Sequence, residues 1–181
     1  MTLLLIAGIG LMVGFFMLYA AARQDAIFRD HMTHHLSAEL TGAEKELAAR
    51  ALDYAWWDEM ARHTAAVDVA WLDKQVGRYV NAIFGVSAVL LLDGEDRPVY
   101  VTVESSHREA DTRRIVEHGL ETLIRRARAK PISLPEPATG IVTIHDVPHL
   151  AAVVQVTPFA EPAPPGNRPV LVFATSLPGV V

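Results

Sequence analysis

The densest group of chemically able residues is the run Asp53-Tyr54-Ala55-Trp56-Trp57-Asp58-Glu59-Met60. On a helix, Tyr54 and Asp58 stand four apart on one face, with Trp57 beside it. An aromatic wall with one carboxylate suits a small cationic or amine-bearing ligand, held by a cation–π contact and a charge-assisted hydrogen bond. Tyr79, on the next helical stretch, completes the expected ligand-binding set. A structural reading stands beside this one, in which the tryptophans anchor a core and Asp58 caps a turn or pairs with Arg62 at i+4.

Other clusters carry weaker chemistry. His31, His34 and His35 fall at helical spacings that could share one face for a metal ion or respond to pH, or simply form a polar helix start. His145, Asp146 and His149 lie where two strands turn, and could bind metal, do acid–base work or merely keep a turn polar. Ser105-Ser106-His107 lacks a nucleophile elbow, and no H-E-x-x-H or Gly-rich phosphate loop occurs. The cations from Arg125 to Lys130 end a helix, where they complement the macrodipole. The chain contains no cysteine, which excludes disulfides, zinc–thiolate sites and thiol catalysis. No catalysis, cofactor or resident metal is expected.

These residues need elements to hold them. From Leu3 to Ala22 the chain is uncharged, and twenty helical residues at 1.5 Å each cross ~30 Å of hydrocarbon. Residues 1–23 are therefore expected to be a transmembrane anchor, with Tyr19 at the interface and Arg23 beyond it. Cleavage after Ala20-Ala21-Ala22 is the competing reading, although a basic n-region is missing. Gly10 and Gly14 form a G-x-x-x-G that would allow two such helices to approach. Residues 24–64 read as one long stalk helix, with Leu36, Leu40, Ala43, Leu47, Arg50, Tyr54, Trp57 and Ala61 forming a buried seam broken by Arg50. Such a seam can join two copies, so a homodimer through the stalk is expected.

Residues 65–181 should form an α+β core. A helical stretch from Asp68 to Phe84 presents Trp71, Leu72, Val76, Tyr79, Val80 and Ile83 on one face and stops at Gly85. Val86–Leu92 and Pro98–Val103 make a hairpin around Asp93-Gly94-Glu95-Asp96. A helix over Glu109–Lys130 follows, then strands at Thr139–His145, His149–Thr157 and Pro169–Thr175. The order predicts one five-stranded antiparallel sheet with helices largely on one face, the layout of a PAS-like or Cache-like core. At 181 residues there is room for one such domain. A net charge of −5, without basic stretches interleaved with aromatics, speaks against nucleic acid.

The run from Asp53 to Met60, with an aromatic, Tyr54, three residues before the Trp57-Asp58 pair, after an apolar span and a helical stalk, resembles the signature of the CHASE4 family of bacterial sensory domains. The hairpin LLLDGEDRPVY and the closing strand PPGNRPVLVFATSL are similar to that family's strands. The resemblance covers nearly the whole chain. It implies a Cache-like fold and an extracytoplasmic, periplasmic place, against the positive-inside rule applied to Arg23, Arg29 and Lys45. It also implies a small-molecule ligand and relay across the inner membrane to a cyclic-di-GMP turnover or histidine kinase output. A membrane-tethered envelope binding or scaffold protein is the alternative.

Overall fold

A computed structural model describes residues 38–103, 119–131, 135–159 and 168–177. The chain separates into two units, Met1–Gly42 and Ala43–Val181, and the second carries the sheet. The expected membrane span lies outside the described residues, as does the expected stalk before Ala38. Among the described residues no helix is long and apolar enough to cross a membrane.

Helix α1 (38–55) is rich in Ala, Leu and Glu, the residues that lose least in a helix. It stops at Trp57, whose extended backbone (φ −82°, ψ 121°) begins α2, Asp58–Ala65. The single helix expected through residue 64 is thus two. Neither proline nor glycine marks the break, so it comes from tertiary bonds: Thr157 N–H donates to Ala55 O at 2.8 Å, and Phe159 N–H to the Asp58 carboxylate at 2.6 Å. The seam is corrected as well. Leu47, Ala51 and Ala55 face the core, whereas Trp57 is 36% exposed.

Next come α3 (Val69–Leu72), a π turn (Asp73–Gly77) and α4 (Arg78–Phe84). Gly85 ends α4 in the left-handed region at φ 64°, donating its N–H to Asn81 O. Leu72, Val76 and Val80 are buried, but Tyr79 and Ile83 are exposed. The π turn adds a residue to one turn of helix, so the apolar stripe advances by four each time and the three-spaced positions rotate outward.

Strands β1 (Ala88–Leu92), β2 (Pro98–Val103), β3 (Ala138–Ile144), β4 (Val147–Gln155) and β5 (Val170–Ser176) form one sheet in the order β2-β1-β5-β4-β3. Every neighbouring pair is antiparallel. Helix α5, Glu121–Arg128, is the described part of the fourth expected helix.

The sequence placed the helices largely on one face, but they cover both. One core sets Leu47, Ala51, Met60, Leu72, Val76 and Val80 against Val89, Leu91, Val154, Leu171 and Phe173. A second, on the other face, sets Leu120, Leu123, Ile124 and Ala127 of the α5 segment against Leu90, Leu92, Val153, Val170 and Val172. Alternate residues of each central strand enter opposite cores, so the sheet is the middle of three layers. Arg128 fastens the outer layer: it donates to Arg168 O at 2.8 Å and Asp93 O at 3.1 Å and pairs with the Asp96 carboxylate.

Candidate functional site

The break between α1 and α2 aims the Tyr54–Asp58 group. Tyr54, in the last turn of α1, sets its ring edge-on to the fully buried Phe173 of β5, with centroids 5.5 Å apart. Its other neighbour is Trp57, edge-on at 6.2 Å. Trp57 lies tilted against Trp71 at 5.1 Å, and Trp71 stacks on His63 at 4.1 Å with the planes 5° from parallel. Tyr79 of α4 meets Phe84 edge-on at 6.3 Å, and the Arg50 guanidinium lies 4.5 Å over the Phe84 ring. Burial raises the Tyr54 hydroxyl above its ordinary pKa, and the proximity of Tyr79 raises it further. Tyr79 is itself 49% exposed.

Of the four residues expected to contact a ligand, the three aromatics thus lie along the α1–α4 layer. Asp58 stands at the first position of α2, where a carboxylate complements the positive helix end. One of its oxygens is already occupied by the Phe159 N–H. The carboxylate joins the start of α2 to the chain after β4, a role its spacing from Tyr54 did not disclose.

Beside the wall, Asp68 holds the α2–α3 corner. Its Oδ1 accepts the Trp71 N–H at 3.1 Å and its Oδ2 lies 3.0 Å from His63 Nδ1. The Trp71 N–H, with His63 in support, holds the Asp68 carboxyl below the usual carboxylate range despite some desolvation.

A polar group absent from the sequence reading sits under the π turn. Tyr100 of β2 donates its hydroxyl to Asp73 Oδ1 at 3.0 Å, and Arg78 holds Asp73 Oδ2 at 2.5 Å. Burial, then the Asp73 carboxylate, pushes the Tyr100 hydroxyl well above its ordinary pKa. Gly77 is what admits it, since a Cβ there would lie 1.9 Å from the Tyr100 oxygen. A glycine inside a helical pattern was the available signal.

The remaining candidates separate. His31, His34, His35 and Ser105-Ser106-His107 lie outside the described residues. His145 and Asp146 occupy the two-residue β3–β4 turn, both at positive φ (50° and 63°), while His149 lies inside β4. No group of three potential metal ligands occurs among the described residues. Of the cations ending α5, Arg125 pairs with Glu121, Arg126 donates to Thr139 O, and Lys130 pairs with Glu136.

Fold and site together define a small three-layer α+β domain with an aromatic wall along one helical layer. The CHASE4 domain family model matches residues 40–179. The chain belongs to that family, whose members are extracellular sensory domains. No curated protein matches it.

Proposed function

We propose that this chain is the signal-input domain of a membrane-associated receptor. In this reading a small amine-bearing or cationic molecule binds along the wall of Tyr54, Trp57 and Tyr79, with Asp58 as counter-charge, on a Cache-like core. Residues 1–23 anchor the chain in the inner membrane with the sensory domain outside, and the stalk pairs two copies. The output is cyclic-di-GMP turnover or a histidine kinase. The observation that carries the reading is the family match running from residue 40 through the aromatic group to residue 179.

The wall supports the ligand class. Arg50 already rests on its Phe84 end, so the surface accepts a cation over a ring face. Relay requires more than binding: the ligand must favour one of two stalk arrangements by a few kcal/mol, because equal affinity for both transmits nothing.

Topology is the first test. Alkaline phosphatase fused after Ser176 should be active, since that enzyme works only when exported. An inactive but stable fusion would overturn the extracytoplasmic reading. Ligand contact is then read with Asp58→Asn, which removes the charge and keeps an oxygen for the Phe159 N–H. Asp58→Ala would remove both at once. Loss of amine binding by a folded Asp58→Asn protein is the expected result, and undiminished binding refutes the role given to this carboxylate.

A further inference from the structure

The five strands bring a second group of polar residues to the end of the sheet opposite the β1–β2 turn. Ser87 precedes β1, Val103 ends β2, Val147 opens β4 and Ser176 ends β5. With Ile144, His145 and His149 they line a cleft of about 270 Å³. Val103 and Ile144 belong to the α5-side core, so the cleft lies on the face of the sheet away from Tyr54 and Phe173. It is independent of the aromatic wall, and the two stand or fall separately.

His149 is the chemically informative member. It pairs with Val142 and Ser176 in the sheet and is only 5% exposed. Its Nδ1 lies 2.8 Å from Val147 O. A carbonyl can only accept, so Nδ1 carries the hydrogen and neutral His149 presents Nε2 as a bare acceptor. That nitrogen makes no hydrogen bond among the described residues. The Ser87 hydroxyl, by contrast, is already engaged: it donates to Ala174 O at 3.1 Å and accepts the Ser176 N–H at 3.0 Å. Val103, Ile144 and Val147 supply aliphatic wall, Ser176 stands across from His149 with a hydroxyl, and none of the lining residues is a carboxylate. His145 reaches the rim from the two-residue β3–β4 turn, where positive φ at both positions is the usual geometry of such a hairpin.

We propose that this cleft binds a small uncharged molecule with an apolar body and one O–H or N–H donor, of the size and type of a phenol or an indole, hydrogen-bonded to His149 Nε2. The volume is at the small end for ligand pockets, and the lining combines aliphatic side chains with a few polar groups, of which His149 Nε2 is the buried acceptor, as such sites do. An ammonium ligand would find no counter-charge among the lining residues. A metal ion would find two imidazoles and, among the described residues, no third ligand.

The experiment is an NMR titration of the isotope-labelled full chain in detergent micelles, using phenol and anisole at matched free concentrations. The two share a ring, but only phenol has a donor. Phenol should shift the amides of Ser87, Val103, Val147 and Ser176 saturably, with anisole about fivefold weaker, the cost of one neutral hydrogen bond. His149→Phe keeps a ring and removes the acceptor, so phenol should fall to the level of anisole. Val147→Trp, at an exposed rim position, should exclude both compounds without touching the acceptor. Equal binding of phenol and anisole, or shifts centred elsewhere, overturns the proposal. So does a Zn²⁺ titration that moves these amides while phenol does not, for the nitrogen is then a metal ligand.

Discussion

Gly77 sets two effects of opposite sign against each other. Alanine in a helix interior is favoured over glycine by about 1 kcal/mol. Here the added methyl would meet the Tyr100 oxygen at 1.9 Å and the ring carbon that bears it at 2.9 Å. Overpacking of this kind costs about 1–3 kcal/mol. Gly77→Ala should therefore lower stability to urea by about 1 kcal/mol net, and Tyr100→Phe in the same chain should recover part of the loss. A stabilised Gly77→Ala protein would show that the close approach is not maintained. Asp68 makes a prediction in pH. Its carboxyl is held low in the fold, so its contribution is present above the unfolded value near 3.9 and is lost as pH falls through the folded one. Asp68→Asn keeps an oxygen for the Trp71 N–H but cannot titrate, so the fall in Tm below about pH 4 should be shallower than in the unsubstituted chain. The two residues differ in how far sequence reveals them. Gly77 announces itself as a glycine within a helical pattern, whereas the partners of Asp68 depend on a corner that only the fold creates. Tyr54, Trp57 and Tyr79 were recognisable by type and spacing, but the bond from Asp58 to Phe159 spans a hundred residues and has no local trace.

At the scale of elements, strands were more legible than helices. β2 matches its expected bounds, and the other four shift by one or two residues, because alternation and turn chemistry are local signals. The helical errors share a different cause. The stop at Trp57 comes from bonds donated by Thr157 and Phe159, and the rotation of the α4 stripe comes from the π turn over the Tyr100 hydroxyl. The first originates in the segment after β4 and the second in β2, both outside any window that hydrophobic periodicity can read. The α2–α3 connection carries the most testable strain. Val67 takes φ 53°, a left-handed conformation that a β-branched residue adopts only under constraint, with its side chain mostly exposed. The Asp68 N–H to His63 O bond at 3.0 Å and the Asp68 cap supply that constraint. Val67→Asn, which tolerates the conformation, should raise stability by about 0.5–1 kcal/mol. Val67→Pro cannot adopt positive φ and should open the corner, read as altered Trp71 fluorescence. If Val67→Asn is neutral or destabilising, the strain is absorbed elsewhere.

For the whole molecule, the decisive property is that both faces of the sheet are covered. The sequence carried that information in Ala88–Leu92, an unbroken apolar run of the kind that strands buried on both faces show, in contrast to the alternation of Pro98–Val103. Antiparallel order had suggested one solvated face, and the run outweighs it. Leu90 and Leu91 are adjacent in β1, yet Leu90 enters the α5-side core and Leu91 the core beneath α1–α4. With only the α1–α4 face covered, Leu90→Ala would be nearly silent. With both covered, each alanine removes a fully buried side chain and should cost about 2–5 kcal/mol in chemical denaturation. The two cavities would open on opposite sides of the sheet and share no packing partner. The double variant should therefore lose the sum of the two single losses to within about 0.5 kcal/mol. A strongly sub-additive result would mean that the two layers communicate through β1, the strand that separates the aromatic wall from the α5 layer.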